Sequence, residues 1–163
     1  MGEIAQKIVK LQKDKLLKLL NEAYAEEWLA YYQYWIGAKI AKGITRSDVV
    51  KEFLEHANEE FKHLEWLADR IIQLGSTPLI DVTQFQEYAK CKYLLPIKED
   101  TKSLVLQNLS AERCAILKYQ EICDMCKGQD YITFNLSRKI LKEEIEHEQE
   151  MEDFLIDFDY YNK

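Results

Sequence analysis

The sequence predicts an all-α fold in which four long helices form a bundle and one long crossover joins the second helix to the third. Three observations lead to this prediction. The 163 residues include only five Gly and two Pro, which helix interiors exclude. Apolar side chains recur at steps of three, four or seven in four separate stretches. The connections within the first and last helix pairs are short, whereas about 25 residues separate the two pairs.

Each element has recognisable boundaries. Gly43 is expected to cap the first helix, residues 45–48 (TRSD) to start the second, and Gly75 with Pro78 to end it. Gly128 ends the third helix, and an Asp followed by Thr starts the fourth. The segment DVTQFQEYAK predicts a short helix within the crossover. In chain order, the predicted helices and crossover span about 14–42, 46–74, 75–100 (the crossover), 101–127 and 130–158.

The composition is that of a single domain, residues 1–163, with 47% hydrophobic and 31% charged residues. No apolar run approaches the roughly 20 residues that cross a bilayer, and the N-terminus lacks the apolar core of a signal peptide, so we expect a cytoplasmic protein without membrane contact. A net charge of -7 argues against binding to nucleic acid. The lysines near the N-terminus are expected to form the wet side of an amphipathic helix.

The apolar stripe of every long helix is interrupted near its middle by charged or ionisable residues. Carboxylates buried there would repel one another unless a positive charge compensates them, and no Lys or Arg lies on the stripes at that level. A Glu-x-x-His spacing occurs twice and places both side chains on one helix face, within reach of one metal ion. The interrupting residues, which we predict to bind metal, are Glu27, Glu60, His63, Glu112, Glu144 and His147.

Four carboxylates and two imidazoles suit a pair of iron or manganese ions, whereas zinc more often draws on Cys. The other acidic residues of the segment LKEEIEHEQE are expected to form a solvated face: Glu143, Glu146, Glu148 and Glu150. His56 has no evident partner and is interpreted as a structural or surface residue.

Three segments resemble the ferritin superfamily, especially bacterioferritin and the Dps-like mini-ferritins called thioferritins: EWLAYYQY (27–34), EEFKHLEWLADRIIQLGSTP (59–78) and ILKEEIEHEQ (140–149). The likeness extends over nearly the whole chain, and the single long crossover is typical of ferritin-like folds. It implies that Glu27 with His63 and Glu112 with His147 hold one iron ion each, while Glu60 and Glu144 bridge them. Tyr34 would then be a nearby electron donor or hydrogen-bond partner, or simply a core aromatic.

Departures from the family patterns refine these expectations. Phe61 stands where bacterioferritin has its haem-binding Met, so no haem is expected. Few residues follow Phe158 where larger ferritins carry a fifth helix, which favours a 12-subunit over a 24-subunit shell. The resemblance to thioferritins implies that Cys91 and Cys114 are a disulfide pair. The remaining C-x-x-C, Cys123 and Cys126, lacks the second pair that a rubredoxin-like centre needs.

The resemblance implies an iron-storing mini-ferritin with ferroxidase activity. It would bind two iron ions per subunit, with manganese or zinc as substitutes, and oxidise Fe(II) with hydrogen peroxide or, more slowly, with dioxygen. Two alternatives remain open at this point: a rubrerythrin-type diiron peroxidase that stores no mineral, and a DNA-binding nucleoid protein.

Overall fold

The protein is described by a computed structural model that covers residues 2, 4, 7–9 and 11–161, without the side chain of Tyr161. Residues 11–161 contain no β-strand, and no helix among the described residues is long and apolar enough to cross a membrane. The predicted all-α bundle with one long crossover is confirmed. Its helices are α1 (Lys13–Ile40), α2 (Arg46–Gln73), α3 (Phe85–Tyr88, after a 3₁₀ turn at Val82–Gln84), α4 (Thr101–Cys126) and α5 (Tyr131–Tyr161).

The bundle consists of two helical hairpins, α1 with α2 and α4 with α5, and the crossover runs between them. Its short helix α3 packs on α1, where Phe85 stacks on Trp28 with 6.0 Å between the ring centres. At the far end of the crossover, the Lys42 N–H donates to the Glu99 carbonyl (2.8 Å) and the Thr101 N–H to the Lys42 carbonyl (3.1 Å). These bonds fix the backbone of Lys42 outside the helix, so α1 ends two residues before the predicted boundary.

The predicted capping is confirmed at the end of α2 and the start of α5. It is wrong at the start of α2 and at the end of α1, where Ala41 rather than Gly43 is the cap residue. Gly75 has a positive φ of 89° after α2, and the Ser76 N–H reaches back to the Ile71 carbonyl as in a Schellman motif. At the start of α5, a carboxylate oxygen of Asp130 accepts hydrogen bonds from two backbone N–H groups. Thr45, however, makes no side-chain cap for α2, because its hydroxyl pairs with the hydroxyl of Thr101, 2.9 Å away.

The apolar core inside the bundle is divided along its axis into two clusters, and a third, smaller cluster of Ala25, Phe85 and Ala89 joins α1 to the crossover. One contains Leu16, Leu19, Leu20, Ala23, Leu67, Ile71, Leu74, Tyr119, Ile122, Cys126 and Ile140. The other contains Tyr34, Ala38, Ala41, Val49, Phe53, Ala57, Leu104, Val105, Leu109, Met151 and Phe158. Between them lies a layer of buried polar residues, and each long helix contributes to it from near its middle. The polar interruptions of the four stripes therefore face one another inside the bundle.

Candidate metal centre

All six predicted ligands lie in this polar layer, and each is at most 3% exposed. They form two overlapping groups, in each of which one ligand atom per residue lies within 4.8 Å of all the others. The first group is Glu27, Glu60, His63 and Glu144, and the second is Glu60, Glu112, Glu144 and His147. Glu60 and Glu144 belong to both groups, whereas each imidazole and each remaining carboxylate belongs to one.

The two shared carboxylates divide their oxygens between the two imidazoles. Nδ1 of His63 lies 3.3 Å from Oε2 of Glu60 and 3.1 Å from Oε1 of Glu144. Nδ1 of His147 lies 3.4 Å from Oε1 of Glu60 and 3.5 Å from Oε2 of Glu144. Each half of the centre thus contains one imidazole nitrogen and one oxygen from each shared carboxylate, the arrangement that bridging ligands require.

One further carboxylate completes each half. Oε2 of Glu27 lies 3.2 Å from Nδ1 of His63, and Oε2 of Glu112 lies 3.8 Å from Nδ1 of His147. Two ligand atoms held about 2.1 Å from one ion at angles of about 90–110° are about 3.0–3.4 Å apart, and the distances at His63 fall in that range. In the half around His147 the corresponding distances from Nδ1 to the carboxylate oxygens are slightly longer, 3.4–3.8 Å.

Two glutamates just outside the six hold the imidazoles by their other nitrogen. Nε2 of His63 donates to Glu143 (2.8 Å), and Nε2 of His147 donates to Glu59 (2.9 Å). A proton held on Nε2 leaves Nδ1 as the metal-binding atom. The expectation that Glu143 belongs to a solvated face is therefore wrong. The sequence carried a signal for both residues, because each copy of the motif reads Glu-Glu-x-x-His.

A pair of buried tyrosines holds the two unshared carboxylates. The hydroxyl of Tyr34 on α1 donates to Glu112 on α4, and the hydroxyl of Tyr119 on α4 donates to Glu27 on α1. In both helices the tyrosine follows its own glutamate by seven residues but bonds to the glutamate of the other helix. Tyr34 thus has the hydrogen-bond role that was one of its predicted alternatives, and Tyr119 was missed although its spacing is identical.

Burial and mutual repulsion set the charges in the centre. Burial, followed by the neighbouring carboxylates, raises the pKa of Glu27 and of Glu112 well above the ordinary value. Burial also acts to raise the pKa of Glu60 and Glu144, but their contacts with both imidazoles outweigh it, and the pKa of each is lowered. These contacts favour the anionic form of the two shared carboxylates, which is the form that binds a cation.

Several atoms of the centre are buried without a hydrogen-bond partner in the described part of the chain. They are Oε1 of Glu60, both carboxylate oxygens of Glu144 and Nδ1 of His147. Leaving such atoms unsatisfied costs roughly 1–3 kcal/mol each, so a native protein is expected to satisfy them in another way. A pair of divalent cations fits, because these atoms converge on two points and the donor set is of hard oxygen with imidazole nitrogen.

A cavity of about 30 Å³ adjoins the centre, with room for one or two water-sized molecules. Its lining includes Glu27, Glu60, Glu112 and Glu144 together with residues 91–93 of the crossover. Next to it, Lys118 is buried between Glu22, at 2.7 Å, and Glu26, at 3.6 Å. A positive charge therefore stands beside the polar layer, although it contacts none of the six predicted ligands.

The four cysteines separate into a bonded pair and a free pair. Cys91 of the crossover and Cys114 of α4 form a disulfide, with 5.8 Å between their Cα atoms. The backbone N–H of Cys91 also donates to Glu26, the residue before the predicted ligand Glu27. Cys123 and Cys126 are free and buried, and neither belongs to a group of potential metal ligands among the described residues.

His56 is buried and has partners, so of its two predicted alternatives, a structural or a surface residue, the surface one is wrong. It is 1% exposed, and its ring stacks on that of His147 with 4.0 Å between the ring centres. Burial and the neighbouring His147 lower its pKa to about 4, so the imidazole is neutral at neutral pH. Its Nε2 bonds to Glu150, 2.7 Å away, so Glu150 also is more than part of a solvated face.

Comparison with known proteins gives relatives over most of the chain. A curated protein from Pyrococcus furiosus, "DNA protection during starvation protein", is 39% identical over 144 residues, which are 87% of this chain and 77% of that protein. A bacterioferritin from Desulfovibrio desulfuricans is 26% identical over 137 residues, covering 83% of this chain and 72% of the relative.

Solved structures similar to this chain come from the same kinds of protein as these relatives. The dodecameric thioferritin of Bacteroides fragilis, a bacterioferritin-related protein, superposes with a TM-score of 0.97 at 47% identity and covers 99% of this chain and 97% of its own. The Dps structure from Thermosynechococcus elongatus shares the fold at 18% identity, with a TM-score of 0.84 and coverage of 94% and 95%. The predicted resemblance to thioferritins is thereby confirmed. Because the model of the ferritin-like domain matches residues 17–159, this chain belongs to the ferritin-like domain family.

Proposed function

We propose that this protein is a mini-ferritin that oxidises Fe(II) at a dimetal site within each subunit and stores the Fe(III) product. The observation that carries the proposal is the division of oxygens at Glu60 and Glu144, each of which offers one oxygen to the half around His63 and one to the half around His147. Glu27 and Glu112 would hold one iron each from the sides, and no haem is involved.

The preferred oxidant in this proposal is hydrogen peroxide, with dioxygen slower. Two Fe(II) ions give one electron each, so that two Fe(II), one peroxide and two protons yield two Fe(III) and two waters. The delivery of two electrons to one peroxide molecule matters because reduction by a single Fe(II) ion would release a hydroxyl radical. The cavity beside the carboxylates supports a small oxidant, since its volume of about 30 Å³ suits a molecule of two oxygen atoms.

The residues around the iron would act by position and charge. Glu143 and Glu59 keep the imidazole Nδ1 atoms available, and Tyr34 and Tyr119 hold the unshared carboxylates in place. We propose that twelve chains form a shell in the cytoplasm, because the 47% identical Bacteroides fragilis protein is dodecameric. We also propose that the disulfide between Cys91 and Cys114 of this chain is redox-active.

The proposal is tested by binding Fe(II) anaerobically and then adding iron and peroxide repeatedly, while measuring the iron that stays in solution with the protein. Loading far beyond two ions per chain in a high-mass form is expected. Saturation at two ions per chain would instead indicate a diiron peroxidase without storage. Glu60→Ala or Glu144→Ala should abolish peroxide-dependent oxidation, and full activity in either variant would refute the bridging assignment.

A further inference from the structure

A pocket of about 200 Å³, here called the disulfide pocket, lies beside the bond between Cys91 and Cys114, and both cysteines line it. Both residues are partly exposed, so a molecule in this pocket can reach their sulfur atoms. Thiol–disulfide exchange needs such access, because the attacking thiolate must contact one of the two sulfur atoms. The volume lies below the roughly 300–1,000 Å³ of pockets for drug-sized ligands, so it suits a small reductant.

The disulfide pocket adjoins the cavity beside the dimetal centre without including the centre. Gln33, Cys91, Lys92 and Ala111 line both spaces, whereas Cys114 lines the disulfide pocket alone. The four glutamates of the dimetal centre line the cavity and not the disulfide pocket. A molecule in the disulfide pocket can therefore react with the disulfide without binding to the metal ligands.

The lining of the disulfide pocket is positively charged, although the chain as a whole has a net charge of -7. Among the described residues, the lining contains Lys90 and Lys92 and no carboxylate. Lys90 shares its charge with Glu22, 3.3 Å away, and with Glu121, 3.5 Å away. The charge of Lys90 is thus largely compensated, and Lys92 remains as the cation that a ligand can use.

Lys92 has both a charge and a hydrogen-bond donor to offer. Its Nζ donates to the backbone carbonyls of Gln86 and Glu87, which have no formal charge. An ammonium group has three N–H donors, so these two bonds leave one for a ligand. A negatively charged group is the preferred acceptor for that donor, because hydrogen bonds between ions are the stronger ones. The lining therefore favours an anionic molecule over a neutral or cationic one.

We propose that the disulfide pocket binds a small anionic thiol, which reduces the bond between Cys91 and Cys114. The first molecule attacks Sγ of Cys114 as a thiolate and forms a mixed disulfide, and Cys91 leaves and takes up a proton. A second molecule then attacks the mixed disulfide. In total, two small thiols become one small disulfide, and the protein gains two thiol groups. This assignment rests on the proposed redox activity of the disulfide and does not depend on the proposed ferroxidase activity.

The proposal is tested by the rates at which three small thiols reduce the disulfide in the purified protein, without oxygen and with a chelator that removes iron. The probes are 3-mercaptopropionate, which is anionic, 2-mercaptoethanol, which is neutral, and cysteamine, which is cationic. Alkylation of the released thiols and the resulting mass shift measure the reaction. Per thiolate, 3-mercaptopropionate should react several-fold faster than 2-mercaptoethanol and cysteamine more slowly, and added salt should reduce these differences.

Variants at two lysines separate the pocket from general electrostatics. Lys92→Gln should remove the advantage of 3-mercaptopropionate and leave the rate with 2-mercaptoethanol unchanged. The matched control is Lys127→Gln, because Lys127 is an exposed lysine at the end of α4 that does not line the pocket, and it should behave like wild type.

Three results would contradict the proposal, each in a different way. Equal rates per thiolate for the three probes, or an advantage that survives Lys92→Gln, would overturn the anionic-thiol site and leave a redox-active disulfide. Much faster reduction by a protein dithiol of the thioredoxin type, unaffected by Lys92→Gln, would assign the reductant to a protein instead. A disulfide that even excess dithiothreitol leaves intact would refute the redox activity itself.

Discussion

Removal of Glu143 should weaken one half of the dimetal site and leave the other unchanged. Glu143 accepts the hydrogen bond from Nε2 of His63 at 2.8 Å, and this bond fixes both the orientation of the ring and the position of its proton. In Glu143→Ala the proton can move to Nδ1, and a metal ion must then displace it. Loss of such an outer partner costs typically 10–100-fold in metal affinity, or about 1.4–2.7 kcal/mol.

The exposure of Glu143 places the expected effect within that range. Its side chain is 26% exposed, so water can enter after truncation and accept the vacated hydrogen bond. We therefore expect the lower end, about a tenfold loss or about 1.4 kcal/mol, for the half around His63. Glu143→Gln keeps a neutral acceptor and should fall between Glu143→Ala and wild type.

The assay is a competition titration with Zn(II) that resolves the separate binding constants at one pH. The matched control is Glu146→Ala, because Glu146 lies on the same helix, is exposed and pairs with Lys142 at 2.6 Å. Only Glu143→Ala should weaken a site, and the half around His147 should keep its affinity. If Glu143→Ala behaved like Glu146→Ala, the orienting role of Glu143 would be refuted.

Three further predictions concern stability and can be checked by denaturant unfolding. Lys118→Met removes the buried cation between Glu22 and Glu26, although Glu22 keeps the partly exposed Lys90 at 3.3 Å. It should therefore lower the free energy of unfolding by about 3 kcal/mol, the lower end for a broken buried pair, whereas the exposed Lys127→Met should change it little. Burial acts to raise the pKa of Asp130, but its hydrogen bonds and ion pair lower it overall. Its stabilising effect is therefore present above about pH 4 and lost as the pH falls through the lowered value, so the difference between wild type and Asp130→Asn should shrink in acid; a difference constant with pH would contradict this. The disulfide closes a loop with a sequence separation of 23, so Cys91→Ser with Cys114→Ser should cost about 3 kcal/mol, and wild type with reductant should match the variant.

The fold class and the set of six buried ionisable residues could be predicted from the amino-acid sequence alone. Both follow from the helical period, since residues three, four or seven apart share one face of a helix wherever that helix is placed. Glu60 with His63 and Glu144 with His147 are such local pairs. A charged residue on an apolar stripe is informative because burial without compensation is so costly.

The contacts between side chains of different helices could not be predicted in this way and are seen only in the folded chain. The bond of His63 to Glu143, that of Tyr119 to Glu27 and the contacts of His56 join residues from different helices. Such contacts depend on the rotation of each helix about its axis, on the axial register of its neighbours and on side-chain rotamers, which the period of one helix does not contain. The early end of α1 at Ile40 has the same origin, because the hydrogen bonds of Lys42 come from a crossover more than fifty residues later in the chain.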